Sequence, residues 1–109
     1  MAITVKNLYE GQLPLATAPL YPCPAGKAAI VKSIRLTNRT AAAKTANIWY
    51  LRNGGTGNRL LTPASVSLPV GSLFVDDSEI TMAAGDQILG DASAVTSVDI
   101  VISGIERDA

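Results

Sequence analysis

The chain has 109 residues, no histidine, a single cysteine and equal numbers of basic and acidic residues, nine of each. The lack of histidine excludes a Ser-His-Asp triad, a Cys-His pair and histidine metal ligands, and the single cysteine, Cys23, excludes an intrachain disulfide. Zero net charge removes any general attraction for nucleic acid or an anionic membrane. The length predicts one domain, residues 1–109, and no window approaches the roughly 18 apolar residues of a membrane span, so we expect a soluble protein. With no catalytic constellation we expect no enzymatic activity and no cofactor.

The N-terminal part of the chain predicts two strands of different kinds. Ala2–Tyr9 is predicted as a strand with Ile3 and Val5 on one face, because side chains alternate between the faces of a sheet. Four prolines between positions 12 and 24 lack amide donors, so the strand predicted at Leu15–Tyr21 belongs at a sheet edge. Residues 1–10 precede this edge and are weakly tied to the apolar pattern, which makes them a possible N-terminal arm.

The next predicted strand is Lys27–Asn38, in which Ile34 and Leu36 share one face. Lys32 has the same parity as these apolar residues. This indicates either a β-bulge near Val31 or a lysine stem that lies along apolar surface. Either arrangement keeps the charged head of the lysine in water.

A further strand is predicted at Thr45–Arg52, and both of its faces are apolar. Ile48 and Tyr50 lie on one face, and Trp49 and Leu51 on the other. Such a strand is either covered on both sides or exposed at an interface. Trp49 is therefore the leading candidate for a subunit contact, and the alternative places it in the core.

A projecting loop is predicted at Asn53–Asn58, which contains three glycines. No helical pattern follows these glycines, so they do not form a phosphate-binding turn. Two arginines flank the loop. With the apolar side chains above, they complete the candidate interface, which comprises Ile3, Val5, Trp49, Leu51, Arg52 and Arg59.

The densest cluster of carboxylates consists of Asp76, Asp77 and Glu79. Calcium loops place oxygen donors at alternating positions around a fixed glycine, and that spacing is missing here. Paired acid and base catalysis would need carboxylates on facing elements of a cleft. We therefore expect a solvated acidic turn rather than a metal or catalytic site.

The C-terminal stretch, Ala84–Glu106, is predicted as two strands joined by a turn of small residues. Val98, Ile100 and Ile102 alternate with other residues, so one face of the second strand is fully apolar and has to be covered. The chain as a whole contains about eight short strands separated by Gly, Pro or Asn, with no sustained helical period. The predicted fold is an all-β antiparallel β-sandwich or jelly roll.

The charges are few and unevenly distributed. Charged residues make up 17% of the chain, which favours a surface partly covered by partners; a polar Ser/Thr/Asn surface is the alternative. Eight of the nine basic residues lie at or before Arg59, and eight of the nine acidic residues lie after it. Either strands from the two halves interleave and mix the charges within the domain, or oppositely charged patches meet across subunit contacts.

Six stretches of the sequence together carry a resemblance to a known group of proteins. They are, in order, residues 24–26 (PAG), 31–38 (VKSIRLTN), 48–51 (IWYL), 57–61 (GNRLL), 84–88 (AGDQI) and 98–106 (VDIVISGIE). This layout resembles small β-sandwich virion proteins of tailed bacteriophages, which include capsid decoration (cement) proteins and modules of head or tail fibres. The matching positions are turns and core strands, so no site residue is carried over from the family.

The resemblance implies a non-enzymatic virion protein. It would be made in the host cytoplasm and would bind, as a homotrimer, to the major capsid protein lattice on the capsid surface, where it would stabilise the head. On that model residues 2–10 would be an arm laid on a neighbour. A fibre or receptor-binding module would instead present Asn53–Arg59 or the acidic turn to a host glycan. A carbohydrate-binding module is the third alternative, although aromatic residues form only 5% of the chain.

Overall fold

A computed structural model describes residues 3–77, 79–94 and 96–108, and these residues form ten strands. Within them no helix occurs that could cross a membrane. The strands are β1 (Ile3–Gln12), β2 (Ala18–Pro22), β3 (Lys27–Asn38), β4 (Lys44–Leu51), β5 (Arg59–Leu60), β6 (Val66–Leu68), β7 (Leu73–Asp76), β8 (Ile80–Met82), β9 (Gln87–Ala92) and β10 (Val98–Asp108).

The strands form two antiparallel five-stranded sheets that pack together, which confirms the predicted β-sandwich. The first sheet has the order β1-β10-β3-β7, with β8 also paired to β3, and the second has the order β2-β9-β4-β5, with β6 also paired to β4. β3 has the bounds predicted from its apolar alternation, and the proline-rich β2 is an edge strand as expected. The strands number ten because residues 59–82 fold into four very short strands.

β1 is hydrogen-bonded to β10 from Ile3 to Gln12, with one irregularity between Asn7 and Tyr9. Its outer residues are largely exposed. Ala2, with which the predicted first strand began, lies outside the described residues. The N-terminal segment is thus the edge strand of the first sheet, and a contact with a neighbour would have to be made by its exposed side.

The core lies between the sheets and draws apolar side chains from both. Val98, Ile100 and Ile102 point into it, as their alternation predicted, and so does Ile48 of the second sheet. Buried hydrogen bonds also join the two sheets: the Tyr21 hydroxyl of β2 donates to the Glu106 carboxylate of β10, and the Asn38 side-chain amide of β3 donates to the Leu68 carbonyl of β6. The first of these bonds shifts the pKa values of both its partners. This hydrogen bond holds the pKa of Glu106 below its ordinary value although burial opposes the shift, while burial and the same bond raise the pKa of Tyr21.

A β-bulge in β3 decides between the two arrangements considered for Lys32. Ser33 pairs with Ser103 and Val31 pairs with Gly104, so Lys32 is the extra residue. Its exposed ammonium forms an ion pair with Glu79, the residue before β8. The bulge therefore turns the lysine towards water without a charge entering the core.

Opposite charges from the two halves of the chain mix within the domain. The described residues contain four ion pairs, and each joins a basic residue from the first half to an acidic residue from the second. The pairs are Lys6–Glu106 (3.3 Å), Lys27–Asp108 (2.6 Å), Lys32–Glu79 and Arg39–Asp99 (3.7 Å). Of the two arrangements considered above, interleaving accounts for these charges.

Candidate protein-interaction surface

The outer side of the first sheet carries an extended apolar surface, which we call the open face. Directly opposed residues in an antiparallel sheet point to the same side. Val5, Ile105 and Ile30 are opposed across β1, β10 and β3, and Val101 and Val75 flank this row further along the sheet. The apolar members of the open face are Ile3, Val5, Ala28, Ile30, Leu73, Val75, Val101 and Ile105.

The open face holds most of the exposed large apolar side chains in the described part of the chain. Seven such side chains are exposed, and four of them are here: Ile3 (65% exposed), Val5 (81%), Leu73 (52%) and Val75 (48%). Of the other three, Leu15 and Val70 lie in connections and Leu60 lies in β5. Ile3 and Val5 lie on β1 and Leu73 and Val75 on β7, the two edge strands, and the strands between them carry Ile30, Val101 and Ile105 together with Ser33, Arg35 and Ser103. Scattered exposed apolar residues are ordinary on a protein surface, but several on one sheet face are typical of an interaction site.

The open face contains three shallow concavities among the described residues. One of about 440 Å³ lies beside the bulge and is lined by Val5, Lys32 and Ile105 among others. A second, of 280 Å³, lies between Arg35 and Val75, and a third, of 290 Å³, lies beside Ile30. The first and third have largely apolar walls, and the second is also lined by Ser33, Arg35 and Ser103. Apolar walls fit side chains of a partner protein, because interface cores combine apolar contact with close complementarity of shape.

The open face shows no constellation for covalent chemistry. Glu106, which has a lowered pKa, points inward from β10 and is engaged by Tyr21 and Lys6. Across the residues placed by the structure, no three potential metal-ligating side chains lie together. In the acidic turn Glu79 pairs with Lys32, and Asp77 is exposed. The chemistry that the face offers is therefore apolar contact with a few polar groups between.

The outer side of the second sheet carries Trp49, which points away from the core while Ile48 points into it. Trp49 is opposed by Leu89 of β9 on one side and Leu60 of β5 on the other. Its indole nitrogen is buried and has no hydrogen-bond partner among the described residues. The alternative in which Trp49 belongs to the core is therefore wrong, because its parity places it on the outer side of the sheet.

Arg52 and Arg59 lie elsewhere: Arg52 directly follows β4, and Arg59 is the first residue of β5. With Tyr50, Gly55, Thr56 and Gly57 they line a separate cleft of about 440 Å³. Arg59 is opposed to Tyr50 in the sheet, and Arg52 follows two positions after Tyr50, so both arginines lie beside the tyrosine. The six candidate residues are thus divided among three places: the open face (Ile3, Val5), the outer side of the second sheet (Trp49, Leu51) and this cleft (Arg52, Arg59).

Sequence reasoning missed most of the open face. The sequence of β10 did contain an indication of this surface. Val101 and Ile105 are apolar although they lie on the face of the strand opposite to the buried residues, where polar residues are expected. Leu73 and Val75 alternate with Phe74, which packs against the core, so β7 is also apolar on both sides. Strands that are apolar on both sides form one exposed surface only when they lie in the same sheet. Which strands share a sheet could not be read from the sequence.

No family model and no curated protein matches the chain. Among solved structures, two crystal structures of proteins described as pentameric capsid proteins from metagenomic phage sequences are similar to it. The first aligns at 20% identity over 94% of this chain and the second at 19% identity over 94%, both with a TM-score of 0.42. The chain spans 60% of the first structure and 68% of the second. A TM-score at this level does not establish a shared fold.

Proposed function

We propose that the chain is a non-enzymatic structural protein of a phage virion, of the capsid decoration (cement) type. In this role the open face binds the lattice of the major capsid protein and stabilises the head. The observation that carries the proposal is that four apolar side chains, all about half exposed or more, lie on the same side of one sheet: Ile3, Val5, Leu73 and Val75. The sequence resemblance to decoration proteins supports the choice of a capsid lattice as the partner.

The dimensions of the domain fit a docking role. The domain measures 45 × 29 × 20 Å, so its broad side exceeds the roughly 800 Å² per partner that a standard interface buries. The core between the sheets is built from residues of one chain, so we expect the domain to fold without a partner. A protein that folds alone and keeps one apolar side exposed is suited to attach to a shell that already exists.

The N-terminal segment takes part in the proposed contact as a strand. Ile3 and Val5 belong to β1, the outermost strand of the first sheet, and continue the apolar surface of β10 and β3. This modifies the idea of an arm laid on a neighbour, because the segment contacts the partner without leaving its own sheet. The trimer implied by the resemblance would use the other outer side, around Trp49 and Leu60.

The experiment compares Val5→Glu with Leu15→Glu for binding to heads of the encoding phage that lack this chain. Both replaced side chains are exposed, and both variants gain one charge, but only Val5 lies on the open face. Burying a valine contributes about 1.5 kcal/mol or more, and each 1.4 kcal/mol is a factor of about ten, so Val5→Glu should weaken binding at least tenfold. Co-sedimentation of the chain with the heads gives the affinity.

Urea unfolding shows whether both variants fold as stably as the native chain, which is expected for substitutions at exposed positions. Leu15→Glu should then bind as the native chain does. Equal binding by the two variants, or no binding of the native chain to such heads, would refute the proposed function.

A further inference from the structure

The cleft beside Tyr50 carries two arginines, Arg52 and Arg59, that form no ion pair within the described residues. The four ion pairs within the described residues use other basic residues, and neither Arg52 nor Arg59 has a carboxylate within ion-pair distance there. Both arginines are exposed. Their guanidinium groups present forked donors that match a carboxylate, so the cleft is arranged to accept acidic groups from outside the domain.

The carboxylate of Asp86 does not occupy these arginines, because its own oxygens are already engaged. Oδ1 accepts a hydrogen bond from the Asn53 amide (2.8 Å), and Oδ2 accepts from the Tyr50 hydroxyl (2.5 Å) and the Ala83 amide (2.9 Å). Arg52 acts on Asp86 only through its charge. The donors of both arginines therefore remain available.

One wall of the cleft is held in place by the turn that follows β4. The Gly55 amide donates to the Arg52 carbonyl at 2.7 Å, and Gly54 has a φ of 75°, a conformation that suits glycine. Asn53 is fixed by Asp86 and lies so close to Gly85 that a Cβ there would be 2.4 Å from the Asn53 side chain. The turn thus fixes the backbone at Arg52 before any ligand arrives, which lowers the part of the entropy lost on binding that comes from ordering the loop.

The lining of the cleft favours a protein segment over an acidic sugar. Sugar sites usually offer an exposed aromatic face, and Tyr50 is the aromatic residue in this lining. Its ring packs against the core and its hydroxyl is bonded to Asp86, so it offers no free platform. The backbone of Gly55 and Gly57 leaves room for an extended chain to approach.

We infer that the cleft between Arg52 and Arg59 binds an acidic segment of a partner protein through its carboxylates. The inference does not depend on the open face, since the two surfaces share no residue. It would give the chain a second, charge-dependent contact beside the apolar one. Such a contact would set orientation and partner choice more than total affinity.

The test is an NMR titration of the ¹⁵N-labelled full chain with a short peptide of alternating aspartate and glutamate at low ionic strength. We expect the side-chain Nε–Hε signals of Arg52 and Arg59 to shift, and the shifts to disappear when salt is added. The double variant Arg52→Gln/Arg59→Gln should bind the peptide at least about tenfold more weakly, because it loses two charge-assisted contacts. Arg39→Gln, which removes one exposed arginine outside the cleft and the open face, should bind it unchanged.

A parallel titration with sialyllactose separates the protein segment from an acidic glycan. Shifts with the peptide and none with the sugar support the inference, and shifts with the sugar alone overturn it. Equal peptide binding by the native chain and the double variant also overturns it, provided that the amide spectrum shows the variant folded. The measurement uses no capsid, so its failure leaves the proposed function of the open face intact.

Discussion

Asp86 shows how a single carboxylate organises one end of the sandwich. It is 4% exposed and joins Tyr50, Asn53 and Ala83 by the hydrogen bonds described above. Burial by itself would raise its pKa, but these hydrogen bonds and the charge of Arg52 hold the pKa below its ordinary value. Burial and the bond to Asp86 in turn raise the pKa of Tyr50 to about 12.

Replacing Asp86 by Asn should destabilise the chain at neutral pH. The side-chain NH₂ group of Asn would face one of the backbone N–H groups that now donate to the carboxylate, so that two donors would meet without an acceptor. The loss of this hydrogen bond should lower the free energy of unfolding by roughly 1–3 kcal/mol. Urea unfolding followed by the fluorescence of Trp49, the single tryptophan, measures this difference. Asp77→Asn, at an exposed position, is the matched control and should unfold as the native chain does.

The effect of Asp86→Asn should depend on pH in a defined direction. Because the pKa of Asp86 is lower in the folded chain than in the unfolded chain, the carboxylate contributes stability above about pH 4, the ordinary aspartate value, and this contribution is lost as the pH falls through the folded pKa. The gap between native chain and variant should therefore narrow between pH 5 and pH 3, values that bracket about one unit around the ordinary pKa. A gap that widens on acidification would contradict this account of Asp86.

At the scale of the strands, the bulge in β3 depends on the absence of a side chain at Gly104. A Cβ at this position would lie 2.3 Å from the carbonyl oxygen of Ile30 and 2.9 Å from Leu8. The backbone of β3 therefore approaches β10 more closely here than any other residue type permits. The same bulge shapes the concavity of the open face that Val5 and Lys32 line.

Gly104→Ala should consequently destabilise the chain by about 1–3 kcal/mol, the usual cost of overpacking, because the obstacle is backbone and cannot rotate away. Gly57→Ala is the matched control, since a Cβ at Gly57 would meet no atom within 4 Å. Urea midpoints of the two variants test the prediction. Equal midpoints would show that β3 can shift and that the bulge does not require glycine.

The long strands could be predicted from the sequence, and the short ones could not. β3 and β10 each bury one face. Apolar and other residues alternate around Ile34, Leu36 and Ile100, and this alternation predicts that these side chains point inward, as they do. β5 has two residues and β6 three, too few for any period to show. These short strands exist because β4 offers backbone groups to pair with, which is a tertiary effect.

The candidate surface was harder to predict than the fold, for a reason of register. The sequence indicates Ile3 and Val5 as candidate interface residues because the first strand carries its apolar residues on one side. Val75 and Ile105 became neighbours of that surface only through pairings between strands far apart in the chain. Arg52 and Arg59 were selected as flanks of a loop, and the structure brings them to one cleft.

At the scale of the whole molecule, the surface is divided by type of interaction. Opposite charges from the two halves of the chain neutralise each other in ion pairs within the domain. These pairs are at least partly exposed, and exposed ion pairs typically contribute only about 0–1 kcal/mol each. Three parts of the surface are not engaged in these ion pairs and are available to partners. They are the apolar open face, the outer side of the second sheet around Trp49, and the cleft with two arginines. The central claim is that the open face is the side that meets the shell.

Thiol footprinting tests this claim most directly. Cys23, the single cysteine, is buried. Burial and, to a smaller extent, the charges of Glu106 and Asp86 raise its pKa, so its thiol should react slowly and add little to the labelling of an introduced cysteine. Val75→Cys places a thiol on the open face, and Leu15→Cys places one at a comparably exposed position outside it. The rate of maleimide labelling is measured for each variant, free and bound to the phage heads. We predict that bound Val75→Cys is protected in proportion to the fraction bound while Leu15→Cys labels as fast as before, and full labelling of bound Val75→Cys would contradict the account.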